Sequence, residues 1–142
     1  MPDVGIPEGI SLWDSKKLSH PYVGQGLKLI INELGDLSAV AQNLKRSITT
    51  LDKLRASDHS LLLYCQDSEV LGYLKMGQKH LFIVEEKKFV EIDPFCCLDF
   101  YVREQAQRQG IGKALFEEML KLSGQNRYIY IYSHFLMVYW FY

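Results

Sequence analysis

The sequence has 142 residues, 48% of them hydrophobic and 23% charged, with 16 basic and 17 acidic side chains for a formal net charge of −1. One domain's worth of chain with that apolar content builds a real core, so global disorder is excluded. A near-neutral balance argues against a nucleic-acid-binding coat or an anionic-membrane surface.

In chain order, residues 1–10 are rich in Pro, Gly and acid and carry no apolar signal core, so secretion is not expected. Leu27, Ile30, Ile31 and Leu34 recur at the spacing of one helical face. Gly35 reads as the end of that helix, and Asp36 or Ser38 as the cap of a short second one running toward Gln42. Residues 60–65 form an apolar run of strand length, 66–69 a polar turn, and 70–76 the paired strand. Residues 80–84 and 88–92 read as two more strands about a Glu85-Glu86-Lys87 turn. Asp93-Pro94 opens a segment from Phe95 to Val102 that is apolar except at Asp99, as in a strand buried on both faces. Asp99 reads equally as a buried polar anchor or as an acid of the reaction site. After a polar stretch comes a helix with Ile111, Leu115, Met119 and Leu122 on one side and Glu117, Glu118 and Lys121 on the other, closed by Gly124. A strand at 128–132 follows. The expected fold is α+β or α/β, a mixed sheet with flanking helices and one strand–helix–strand crossover in the C-terminal half.

Cys65, Cys96 and Cys97 are odd in number and lack a CxxC spacing, which predicts reduced thiols in a cytosolic compartment. His20, His80 and His134 show no metal-ligand spacing, and no metal is expected. Adjacent Asp58, His59 and Ser60 carry the letters of a catalytic triad, but neighbouring side chains do not converge. Lys75, Lys79, Lys87 and Lys88 read as a basic stretch or a solvated hairpin face. In residues 128–142 only Ser133 and His134 are neither apolar nor aromatic. That run falls short of the roughly 20 residues a bilayer span needs. Residues 135–142 show no clean period. The sequence is therefore divided into a domain at 1–125 and an atypical apolar, aromatic tail at 126–142.

The chemistry lies in Gln107-Arg108-Gln109-Gly110-Ile111-Gly112-Lys113, between the buried strand and the amphipathic helix. Glycines permit close backbone approach and unusual φ values. Amides of Gly110, Gly112 and Lys113 at an open helix N-terminus attract phosphate, and Arg108 and Lys113 add positive charge. The dinucleotide fingerprint fails because Leu115 stands where its third glycine belongs, and no GxxxxGK[ST] loop is present. The pattern instead resembles the coenzyme A pyrophosphate loop of GCN5-related N-acetyltransferases.

Further blocks, in order, resemble the α-tubulin N-acetyltransferase (Mec-17) family: Pro7-Glu8 and Leu12 to Asp14; Asn32-Glu33-Leu34-Gly35; Ala41-Gln42-Asn43-Leu44 and Ile48-Thr49; Gly72 to Gly77; Lys79 to Phe82; and Phe95 to Val102. The resemblance spans about residues 1–122. It implies an acetyl-CoA-dependent lysine N-acetyltransferase acting on α-tubulin in microtubules, hence cytoplasmic and cytoskeletal. Carried over by position, it implies Gln42 and Cys96 as active-site residues. It further implies Phe100, Tyr101, Val102, Arg103, Gln107, Arg108, Gln109, Gly110, Ile111, Gly112 and Lys113 as the acetyl-CoA-binding segment. The strand at 128–132 departs from the family, whose Asp-Arg-Pro-Ser block would place a carboxylate near Ile131 or Tyr132. A C-terminally incomplete form, weakly active or inactive, is expected. Rival readings are an acyltransferase for another amine and a non-catalytic module docking on microtubules or on a partner chain.

Overall fold

A computed structural model describes residues 5–124, 128–132 and 137–141. Strand β1 (Gly9–Trp13) leads through a short α1 (Ser15–Leu18) to the long α2 (Gln25–Ala41) and a short α3 (Leu51–Arg55). Strands β2 (Ser60–Gln66), β3 (Glu69–Gln78), β4 (Leu81–Glu85), β5 (Lys88–Ile92) and β6 (Phe95–Val102) follow. A 3-10 turn (Glu104–Ala106) then precedes α4 (Ile111–Ser123), β7 (Tyr128–Tyr132) and β8 (Met137–Phe141). The main sheet runs β1-β2-β3-β6-β7-β8, and β4-β5 form a separate hairpin. Among the described residues only β6 and β7 pair in parallel, joined by the α4 crossover. The expected mixed α+β architecture is therefore present.

Helices on both faces explain the apolar strands. Leu61, Leu63 and Tyr73 pack with Trp13, Leu27, Ile31 and Leu34 on the α2 face. Leu62, Leu74, Met76 and Cys97 pack with Ile111, Leu115 and Met119 on the α4 face. A strand buried on both sides has no solvent face on which polar residues could alternate. The hairpin instead exposes Phe82, Val84 and Phe89.

Three expectations need correction. Gly35 does not end a helix, and neither Asp36 nor Ser38 caps a second one, because α2 continues unbroken to Ala41. Gly35 is there for space: a Cβ would lie 2.0 Å from the Thr49 carbonyl oxygen. The helix stops at Asn43, whose φ of 58° is left-handed. Leu44 N–H then donates to Ala39 O at 2.8 Å and Asn43 N–H to Val40 O at 3.1 Å, a Schellman closure. Lys75 does not join a basic surface either. It is buried, and its Nζ donates to Ile48 O at 2.8 Å. Finally, Leu122 does not join Ile111, Leu115 and Met119 on the buried side of α4: it is exposed, and Phe116 and Leu120 pack against that core instead. Strand β8 pairs antiparallel to β7. Ser133 and His134 lie outside the described residues.

A bulge in β6 shapes the centre of the sheet. Lys75 faces Asp99 but Met76 faces Cys97, so Leu98 is the extra residue. Pairing with β7 is confined, among the described residues, to Cys96↔Tyr130 and Cys97↔Ile131, while β6 runs on to Val102.

Candidate acyl-transfer site

The turn entering α4 is built from left-handed residues. Arg108 has φ 65°, and Gly110 has φ 83° and caps the helix. Gln107 Nε2 donates to Val102 O at 3.0 Å and ties the turn to the end of β6. A Cβ on Gly112 would meet the Phe100 ring at 2.9 Å, whereas one on Gly110 would meet nothing within 4 Å. Gly112 thus lets the helix start lie on Phe100, and Gly110 supplies the backbone reversal. Ala114 N–H closes the first helical turn onto Gly110 O at 3.0 Å. The amides ahead of it have no intrahelical acceptor.

Beside this turn lies a cleft of about 370 Å³. Of the residues expected to bind the acyl donor, Phe100, Tyr101, Val102, Gln107, Arg108, Gly110, Ile111, Gly112 and Lys113 line it, joined by Ala41 and Ala106. Arg103 and Gln109 are not in its wall. Arg103 turns back on the fold, its Nε donating to Val70 O at 2.9 Å and its Nη2 3.1 Å from Glu33. Gln109 is exposed at the tip of the turn. Lys113 lies 3.9 Å from Glu117 one turn on, an exposed pair of little energetic weight.

Ala41 in the cleft wall brings the end of α2, and with it Gln42, to the rim. Gln42 Nε2 lies 2.8 Å from Ser38 Oγ and 3.0 Å from Asp99 Oδ1. Asp99, only 5% exposed, is the hub of a polar network crossing three elements and a loop. Its Oδ1 also accepts from Ser38 Oγ at 2.9 Å and from Phe100 N–H at 2.9 Å. Its Oδ2 accepts from Thr49 Oγ1 and the Tyr73 hydroxyl. Of the two readings of Asp99, the geometry is that of the anchor. Burial and the neighbouring Asp99 charge push the Tyr73 hydroxyl far up, so it stays a donor. Burial lowers the Lys75 ammonium below the usual lysine range, opposed by Asp99.

Cys96 is fully buried in β6, packed with Leu81 and Leu98, and its Sγ lies 3.4 Å from Pro94 O. Burial pushes its thiol up to about 11. Cys97 points into the α4-side core and is raised further, again by burial first. The sequence reading missed Ser38, Thr49, Tyr73 and Ala41. The one signal available was Asp99 itself, a lone carboxylate in an apolar strand, which requires donors from elsewhere in the fold.

A family described as GNAT acetyltransferase, Mec-17, matches residues 7–128. Over 98 residues the chain is 44% identical to an alpha-tubulin N-acetyltransferase of Tetrahymena thermophila, covering 68% of this chain and 25% of that protein. Over 136 residues it is 38% identical to alpha-tubulin N-acetyltransferase 2 of Trypanosoma cruzi, covering 89% and 42%. Over 130 residues it is 40% identical to alpha-tubulin N-acetyltransferase 1 of Danio rerio, covering 82% and 43%. The chain thus spans less than half the length of these relatives. Among solved structures, an aminoglycoside acetyltransferase from an uncultured soil metagenomic sample shares the fold, with a TM-score of 0.54 at 17% identity, covering 87% of this chain and 76% of that one.

Proposed function

The chain belongs to the Mec-17 family of GNAT acetyltransferases, and from that premise we propose that it is an acetyl-CoA-dependent lysine N-acetyltransferase directed at α-tubulin in cytoplasmic microtubules. Residues 1–125 supply the acyl-donor cleft in this reading. The observation that carries it is the cleft against Gly110–Lys113: helix-start amides without an intrahelical acceptor, two left-handed residues, and room at Gly110 where a side chain would otherwise stand.

The residues fit a diphosphate linked to an extended arm. Amides at the start of α4 and the helix dipole take the diphosphate, and Arg108 offsets its charge. The edge of β6 beyond Cys97, where pairing with the described residues of β7 stops, offers backbone groups to the arm. Acetyl-CoA supplies an activated acetyl thioester when bound. The amine nitrogen forms the new N–C bond, the C–S bond breaks with its electron pair on sulfur, and the proton shed by nitrogen passes to water. Polarisation of the carbonyl as it is attacked falls to β6 amides other than that of Phe100, which Asp99 Oδ1 already holds. Gln42 orients the amine at the rim. Cys96 enters the reading as a neutral thiol in the wall: at about 11 it is protonated at neutral pH and is not the base. Contact with a protein substrate is supported by exposed Phe82, Val84 and Phe89 on the hairpin, beside Lys87 and Lys88 at its tip.

Calorimetric titration with acetyl-CoA, followed by acetylation of polymerised α-tubulin, tests the proposal. We expect saturable binding, abolished by Gly110→Val with the circular dichroism spectrum unchanged, since a β-branched residue resists φ 83°. Absence of binding by the unaltered chain would overturn it.

A further inference from the structure

Resting on that reading, we infer that Asp99 is a positioning residue: with Ser38 it holds the Gln42 amide with its nitrogen turned inward, so that the carbonyl oxygen Oε1 faces out and the incoming amine meets it as a hydrogen-bond donor.

The argument is one of hydrogen counting. An ionised carboxylate has no hydrogen to give. The Gln42 amide atom 3.0 Å from Asp99 Oδ1 must therefore be the nitrogen, because an oxygen there would set lone pairs against lone pairs. Ser38 has a single hydroxyl hydrogen, committed to Asp99 Oδ1, so toward Gln42 its Oγ accepts. The Gln42 Nε2 is thus held between two acceptors. Oε1 keeps its lone pairs and has no partner among the described residues, on a side chain exposed at the cleft rim. The backbone cannot relax this arrangement, because the Schellman closure at Asn43 and Leu44 fixes the end of α2. Asp99 is fixed in turn by Thr49, Tyr73 and Phe100 N–H.

What meets Oε1 must bring a hydrogen. An amine does so, whereas a carboxylate or phosphate is repelled. As the amine nitrogen bonds to the acyl carbon it gains positive charge, and its N–H becomes a stronger donor. The contact to Oε1 thus tightens toward the transition state, which is the condition for raising rate as well as affinity.

Two measurements test this. In the 15N-labelled chain, the Gln42 side-chain NH2 should exchange with solvent at least about tenfold more slowly than those of exposed Gln66 and Gln78, in keeping with hydrogen bonds to a charged group. Asp99→Ala should abolish that protection. Asp99→Asn should keep it, because the Thr49 and Tyr73 hydroxyls can turn to accept from the new amide while its oxygen stays toward Gln42 and Ser38. Ser38→Ala, a smaller change should Asp99→Ala fail to fold, should lose part of the protection. With a single-lysine α-tubulin peptide, kcat/KM should fall about 10–100-fold in Asp99→Ala and recover to within about threefold in Asp99→Asn, with acetyl-CoA affinity unchanged, as for the loss of one charge-supported contact. Free exchange of the Gln42 NH2 in the unaltered chain would overturn the inference. So would an Asp99→Ala or Ser38→Ala chain that loses protection yet keeps its full kcat/KM. If the unaltered chain shows protection but no turnover, the transferase reading falls and the inward lock of Gln42 stands.

Discussion

Cys96 is the residue at which a nucleophile or base would first be sought, and its surroundings decide against a thiolate. It has no exposed surface and its charged form would lie among Leu81, Leu98 and Ile92. The thiol is pushed up to about 11 by that burial, with Lys79 the opposing influence. Alkylation by iodoacetamide, followed by mass spectrometry against pH, should therefore show Cys96 reacting appreciably only above about pH 10, well past the usual thiol range near 8.5. A midpoint near 8.5 in the folded chain would contradict this. Asp99 teaches the complementary lesson. A single carboxylate in an otherwise apolar strand marked the position, but which of its two readings held depended on Ser38, Gln42, Thr49 and Tyr73. Those donors lie 26 to 61 positions away in the chain.

At the scale of elements, α2 shows where local signals mislead. A glycine after a helical stripe is a stop signal by frequency, yet Gly35 lies inside a 17-residue helix. Thr49 O occupies the space that a Cβ would take. In an exposed helix, glycine to alanine gains about 0.5–1 kcal/mol. Here the sign reverses. Gly35→Ala should lower stability by at least about 2 kcal/mol, because the Thr49 segment must move and its bond to Asp99 is strained. Urea unfolding with a lowered midpoint and unchanged slope is the expected result, and a raised midpoint would refute the packing argument. The true stop, Asn43, was legible in principle, since asparagine is one of the few residues that tolerates the left-handed cap. By contrast, the bounds of α4 follow from local signals, although Leu122, placed on its apolar side by periodicity, is exposed in the fold. Its apolar stripe, its opening turn and its closing Gly124 at φ 70° are all local features.

Over the whole molecule, buried acids set the response to pH. Cys65, Cys96, Cys97 and Tyr73 are all raised, in each case by burial first. Above the unfolded thiol value the unfolded chain has shed protons that the folded chain retains, so stability falls as pH rises. Lys75, lowered by burial, works the other way between its folded value and the ordinary lysine value. That is one group against four. Thermal unfolding should therefore show a falling Tm from about pH 8.5 upward, and a Tm constant to pH 11 would contradict the burial of these groups.

The sequence by itself determined the strand and helix periods, the crossover at β6–α4–β7, and the glycine turn that opens α4, because each is set by neighbours within a few residues. The tertiary structure alone decided that α2 is unbroken, that Arg103 faces Glu33 and Val70 instead of the cleft, that Lys75 is internal, and that Gln42 meets Asp99. These outcomes depend on which surfaces the folded sheet brings within hydrogen-bond or van der Waals reach. Such distances are fixed by packing across the fold and leave no periodic trace along the chain.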